Sequence, residues 1–293
     1  MPSGVDVRKV DYENPSSLVA ALQGHDLFII TMGVGAPPDT HTKLLEAAAE
    51  AKIPWILPNE YGNDTNNDQV NKDIVIGGVK KQIRQRIEQL GMSWIGIASG
   101  FWYEFSLCGG TDRYGFDLNN HTVTWFGDGN VKLNTSTFPQ VGRSVASLLS
   151  LKVLPDDEND KSLTLSHWRN KFVHVSSFHV SQRDMFESVL HVSGTKASDW
   201  QQETVSIKEW YEDGVSMMQS GNRLGFGKLL YGRFFFPDAP GDFETQGFEA
   251  DNDKLGLPKE DLDEYTKVAF DMAKDGYMEK QYANFMRQTQ TKE

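Results

Sequence analysis

Cysteine is nearly absent: Cys108 is the only one in 293 residues. An intrachain disulfide and a cysteine-rich metal site are thereby excluded, and a reducing, cytoplasmic setting is expected. Cys108 stands beside Gly109 and Gly110 and reads as a small structural thiol. No run of about 18 apolar residues occurs, and Met1-Pro2-Ser3-Gly4 leads straight into charged sequence, so neither a membrane span nor a secretory leader is expected. Positive charge is also scarce. With 29 basic against 41 acidic residues the formal net charge is −12, and no long Lys/Arg run is present, so a nucleic-acid partner is not expected. His174 and His179 flank a strand end, while His121 and His167 are isolated. No His-x-x-x-His pair exists, and no metal site is expected. The G-x-S-x-G serine motif is missing too.

What is present is ordinary for a globular protein and enough for a real core, with 39% hydrophobic and 24% charged residues. The first three-fifths alternate strand and helix signals. Val5–Val10 reads as a short strand, and Asn14-Pro15 as a helix start with Asn14 as N-cap. Leu27–Ile30 is a continuous apolar run, as in a parallel strand buried on both faces. A helix follows around Leu44 to Ala49, then a strand at Ile53–Leu57, a helix from Val79 to Leu90 stopped by Gly91, and a strand at Ser93–Ile97. This rhythm predicts an α/β, doubly wound Rossmann-like sheet. Beyond Phe101, Thr122–Phe126 and Val131–Leu133 flank Gly127-Asp128-Gly129-Asn130, which reads as a hairpin. Helices are expected over Val141–Leu151, after Ser181 through Val192, near Ile207–Met218, and as one polar helix from Lys259 onward, with a strand at Lys171–Val175.

Ligands of open α/β sheets bind outside the carboxyl ends of the strands. Two loops stand there. Thr31, Met32 and Gly33, continuing to Gly35, offer backbone for close approach; Pro58, Asn59, Glu60 and Tyr61, ending at Gly62, offer polar contacts. The bland alternative is a pair of tight strand-to-helix loops. In the helix after them, Val79, Ile83, Ile87 and Leu90 form one apolar stripe. Lys80 falls roughly 65° from its centre, and Lys81 roughly 165° away with Arg84, Gln85 and Glu88 on the solvent face. Lys80 therefore faces a cleft, as an acid or base of lowered pKa or as a snorkelling lysine that covers apolar surface. Phe101, Trp102 and Tyr103 are candidates to line an apolar substrate pocket, as are Trp200, Trp210 and Phe234-Phe235-Phe236; core packing is the alternative for each.

Four segments in order resemble the NmrA-like, isoflavone-reductase-like family of atypical short-chain dehydrogenases. Asp11-Tyr12, Ser17-Leu18 and Ala20–Asp26 resemble its "gDl.d..sL..al.g.D" passage. Pro58–Gly62 resembles its "PSEFG" loop, and Lys80–Glu88 its "K..iR..iE" helix. Gly127–Gly129 with Val141–Ala146 resembles its "GdG…diGr..A" passage, and Ser176–Asp184 looks like the fungal CipA-type subgroup. The resemblance implies NADP(H) as cofactor, reduction of an aromatic or polyketide-like small molecule in secondary metabolism, and Lys80 as the catalytic lysine. The family's loop serine is Asn59 here.

Such enzymes open with a strand, a G-x-x-G-x-x-G turn, a helix and a second strand. None of this is in the sequence, which begins at what should be the third strand. In the order 3-2-1-4-5 those strands separate the third from the fourth, and the pyrophosphate loses its helix N-terminus. The expectation is an N-terminally truncated chain with poor NADPH affinity, organised as an incomplete NAD(P)-binding domain (1–150) and an intertwined substrate-binding lobe (151–293). Three readings stand: an NADPH-dependent reductase, a non-catalytic dinucleotide-sensing or protein-binding regulator, and an inactive fragment. The sequence leaves substrate, partner and oligomeric state open.

Overall fold

In the computed structural model, which describes residues 4–33, 36–74 and 77–290, strands and helices alternate through the first hundred residues. They are α1 (Pro15–Leu22), β1 (Leu27–Ile29), α2 (Thr40–Glu50), β2 (Trp55–Leu57), β3 (Tyr61–Gly62), α3 (Asp68–Ile74), α4 (Gly77–Gln89) and β4 (Ser93–Ala98). Short elements then follow: β5 (Phe101–Trp102), α5 (Tyr103–Leu107), β6 (Phe116–Asp117), β7 (Thr122–Phe126), β8 (Leu133–Ser136) and α6 (Phe138–Leu149). The remainder holds β9 (Lys171–His174), β10 (Phe178–Val180), α7 (Gln182–Ser193), β11 (Gln201–Val205), α8 (Ile207–Gln219), α9 (Gly225–Phe234), α10 (Leu262–Lys274) and α11 (Tyr277–Gln290).

The central sheet is parallel. β1 pairs with β2, and β2 with the start of β4. After the Pro58–Glu60 loop the chain returns as β3 to pair with the end of β4, while β9 pairs with β4 along its other edge. Side chains alternate strictly between two cores, as strand geometry requires. Phe28, Ile56, Trp94, Ala98 and Phe172 enter the core under α1, α2 and α4. Leu27, Ile29, Trp55, Leu57, Ile95, Ile97 and Val173 enter the opposite core with Leu148 of α6, Trp168 and Leu257. Burial on both faces is why these strands read as unbroken apolar runs. The doubly wound, Rossmann-like α/β class expected from sequence is therefore the class observed. A third core holds the aromatic residues of β5, β7, α7, α9 and α10. All three cores draw residues from both sides of residue 150.

Three local expectations fail. Val5–Val10 forms no strand, and Val7 is 70% exposed. Among the described residues β1 has β2 as its one sheet partner, so nothing there offers Val5–Val10 a ladder; instead Arg8 donates to the carbonyls of Ala20 and Ala21 at the end of α1. The Gly127–Asn130 turn exists, with Gly127 and Gly129 at positive φ, but joins no hairpin. β7 pairs with β6 and, in parallel, with β11; β8 pairs with β5 and β10 in another sheet. The remote strand β11 takes the partner edge that a hairpin would have used. The single polar helix expected from Lys259 is broken at Gly276 (φ 63°), giving α10 and α11.

Candidate active site

The carboxyl ends of β1 and β2, the end of β5, the first turns of α6 and the first turn of α4 enclose a cavity of about 690 Å³. Thr31, Met32 and Gly33 form one side of it, Asn59 and Tyr61 another, and Lys80 and Trp102 close the ring. A smaller cavity of about 280 Å³ lies behind, lined by His41, Pro58, Asn59, Glu60, Val79, Lys80 and Ile83. The two predicted loops and the predicted lysine are thus brought together, with Pro58 and Glu60 on the inner cavity only. Val34 and Gly35, which extend the first loop, lie outside the described residues.

Asn59 ties the two loops to each other. Its side-chain amide donates to the Met32 carbonyl (3.0 Å), and its Oδ1 accepts from the Met32 N–H (3.3 Å). A serine, shorter by one atom and with donor and acceptor on a single oxygen, does not present the two separate atoms used here. Both backbone groups of Met32 are therefore engaged, and the open backbone of this loop is at Gly33, where a Cβ would meet no atom within 4 Å.

The inner face of α4 differs from the apolar stripe read in the sequence. Arg84, placed on the solvent side there, is only 4% exposed, and Val79, placed in the stripe, is 61% exposed. The helix is turned so that Lys80, Ile83, Arg84 and Ile87 face inward. The cause is Glu60. Arg84 donates from Nη1 to both of its carboxylate oxygens at 2.8 Å, and from Nη2 to the Thr65 carbonyl at 3.3 Å. Thr65 donates a further hydrogen bond to Glu60 (2.6 Å). The guanidinium also lies about 5.1 Å from the rings of Trp94 and Phe172. A partnered charge tolerates burial where a lone one does not.

Lys80, one turn before Arg84, has no such partners. It is half-buried and forms no hydrogen bond or ion pair among the described residues, whereas Lys81 bonds Asp68 at the surface. Burial pulls the Lys80 ammonium below its ordinary range; Glu60 opposes this and Arg84 reinforces it. The Tyr61 hydroxyl and the Trp102 Nε1 are sealed from solvent with no partner among the described residues. Burial raises the Tyr61 phenol well above its ordinary value and keeps it neutral.

Two of the three aromatic candidates are corrected. Phe101 is buried, with its ring stacked on Tyr231 at 4.0 Å, and Tyr103 is fully buried, its hydroxyl sharing a hydrogen bond with Thr266 (2.6 Å). Residues on either side of a strand position face the opposite way, so of the three only Trp102 turns to the cavity. Trp200, Trp210 and the Phe234–Phe236 run are likewise absent from its lining. Sequence reasoning missed Phe138, Val141, Gly142 and Val145 of α6, which form the far wall; the Trp102 ring packs on Phe138 at 5.3 Å. The periodicity of α6 was legible, but not which strand ends it would face. His41 carried no spacing signal at all.

Among the described residues no group of three His, Cys, Asp or Glu could hold a metal ion, and no helix is long and apolar enough to cross a membrane.

A parallel doubly wound sheet with a cavity at its carboxyl edge is the architecture of a Rossmann-like α/β fold. The family model of the NmrA-like family matches residues 2–108 of this chain. A curated relative, the oxidoreductase aprR of Aspergillus flavus, is 24% identical over 278 residues, covering 90% of this chain and 83% of its own. Among solved structures, AtPrR2 with NADP+ and (+)pinoresinol aligns with a TM-score of 0.68 at 20% identity, covering 88% of this chain and 80% of that one. The NADPH-dependent quinone oxidoreductase QOR2 from Escherichia coli aligns at 0.61 and 15% identity, covering 91% and 84%. At these identities the structural matches establish the fold.

Proposed function

We propose that this protein reduces an aromatic small molecule in the main cavity, with Lys80 as the proton donor. One observation carries the reading: among the described residues Lys80 is the single charged side chain lining an otherwise largely apolar cavity, and it stands there without a counter-ion. A cation pushed toward its neutral form by burial gives up a proton readily, which is what an oxygen anion formed during reduction requires. Trp102 and Phe138 offer flat apolar faces for an aromatic ring, and the same walls keep water from that proton.

A dinucleotide fits this cavity at one end. The apolar walls and the open backbone at Gly33 suit a nicotinamide ring beside Lys80. Among the described residues no arginine and no second lysine lines the cavity to hold the pyrophosphate or a ribose phosphate. When bound, the nicotinamide supplies the hydride. The chain's own residues position the acceptor, exclude water and hold the proton at the Lys80 Nζ. The named relatives, an oxidoreductase and structures holding NADP+ or named for NADPH, support the same reading.

Loss of NADPH absorbance with menadione, a compact aromatic quinone, is the test. Turnover by the native chain that falls about a hundredfold or more in Lys80→Met, with unchanged far-ultraviolet circular dichroism, is expected. Equal turnover by the variant would sink the proposal. Menadione binding with no turnover would make the protein a binder of aromatic ligands, the non-catalytic reading.

A further inference from the structure

Lys80 and Asn59 are the two residues that line both cavities. Asn59 does not titrate, and its amide is held by Met32. Of the titratable groups on the inner cavity, Glu60 is committed to Arg84 and Thr65. That leaves His41, in the first turn of α2. Its ring is half-buried, and its Nε2 is sealed from solvent with no hydrogen-bond partner among the described residues. A ring nitrogen left unpaired in this way is uncommon enough to need an explanation.

An acid that protonates a ligand in the main cavity must regain its proton before the next turnover. An aromatic ligand lying over Lys80 covers that side, and the approach that remains is the inner cavity. At about 280 Å³ it has room for several waters, each needing roughly 30 Å³ of liquid volume. Resting on the reading of Lys80 as proton donor, we infer that His41 is a positioning residue that resupplies Lys80 with protons through the inner cavity. The Lys80 ammonium gives its proton to the oxygen anion of the reduced ligand and becomes an amine. The His41 Nε2–H, directly or across a water, passes a proton to that amine, and the other ring nitrogen takes one from solvent. The ring then returns to its Nε2–H tautomer by proton exchange through water, so one proton enters for each that reaches product and the relay moves no electrons.

The charges around His41 suit this role. Burial lowers its pKa below the ordinary imidazole value, the Lys80 charge acts in the same direction, and Glu60 opposes both. Arg84, the remaining charge of the cluster, is held by Glu60. His41 is therefore neutral near pH 7, with one N–H and one lone pair, the form a relay needs.

Two measurements decide it. The first follows the His41 ring through its pH titration by nuclear magnetic resonance in the native protein and in Lys80→Met. The expected result is a midpoint below that of an ordinary histidine in the native chain, rising toward it once the Lys80 charge is gone; an identical midpoint in both would overturn the coupling, whatever the activity. The second compares menadione turnover in His41→Gln and His41→Ala. A kcat lower by about tenfold or more, KM within about twofold, and recovery of His41→Ala by added imidazole are expected. If both variants match the native pH profile while Lys80→Met is inactive, the relay is wrong and the reductase reading stands. If Lys80→Met keeps full turnover, the reductase reading itself fails.

Discussion

The inner face of α4 carries two cations four residues apart, and they inhabit opposite environments. Around Arg84 every donor that points inward meets an acceptor: two carboxylate oxygens, a hydroxyl, a carbonyl and an amide oxygen. Around Lys80 no hydrogen-bond partner stands among the described residues, and the Nε2 of the neighbouring His41 is likewise unpartnered there. The first region is built as structure, since satisfied polar networks rigidify a core. The second keeps its hydrogen-bonding capacity for something that arrives. On one helix face, the state of partnership thus separates a residue that holds the fold from one available for chemistry.

The sharpest way to break the comparison is to empty the Arg84 region as well. Arg84→Met leaves Glu60 buried and unpaired, with Thr65 as its remaining side-chain donor. Breaking a buried pair by removing one partner costs about 3–5 kcal/mol. Urea unfolding should show a loss of that size, and a loss below about 1 kcal/mol would mean that the pair is not structural.

Glu104 of α5, bonded to the head of α6, is an intermediate case. It is 1% exposed, and the Phe138 N–H at the head of α6 is bonded to its carboxylate at 3.2 Å. Burial raises its pKa to about 7, with Glu260 adding in the same direction and the backbone hydrogen bonds opposing. Because the folded value lies above the unfolded one, the neutral form stabilises the fold. That contribution is complete below pH 4.5 and is lost as pH rises through about 7. The loss is up to about 3 kcal/mol. Unfolding of the native chain at about pH 5 and about pH 8 should show it, and Glu104→Gln should flatten the dependence.

A smaller effect is expected at Asn59, which binds the cavity's two loops together. Asn59→Ser keeps at most one of the two bonds to Met32. An unmatched backbone group in this half-buried place costs about 1–2 kcal/mol. The same substitution should raise KM for menadione more than it lowers kcat, because it loosens the loop without touching Lys80; a selective loss of kcat would contradict that role.

How much of this was legible in the sequence depended on whether a residue's partner was near in the chain. Leu27–Ile30, Ile53–Leu57 and Ser93–Ile97 were readable as strands because burial on both faces writes itself as local apolarity. The helix start at Ser181 was readable for the same reason, since the backbone it caps is three residues away. The resemblance brought Lys80 and the Pro58–Tyr61 loop forward, and both line the cavities. Arg84 was misplaced because its partner, Glu60, is 24 residues away. The hairpin at Gly127–Asn130 failed because its rival strand lies at Gln201–Val205. Phe101 and Tyr103 were misassigned because three adjacent aromatics cannot all face one cavity, a constraint visible only once the strand direction is known.

The least effect on stability, and the one of opposite sign, belongs to Lys80. In the fold its pKa is lowered, chiefly by burial. Between that lowered value and the ordinary lysine value the folded chain binds fewer protons than the unfolded one, so stability rises as pH climbs through that window. Below the window the charged lysine is a burden, with no partner among the described residues to relieve it. Lys80→Met removes the charge and keeps most of the apolar stem. The variant should therefore unfold at the same or slightly higher urea concentration than the native chain near pH 7, with the difference closing above about pH 10. A clear destabilisation by Lys80→Met at neutral pH would erase the contrast with Arg84, since it would make Lys80 a structural cation like its neighbour one turn away.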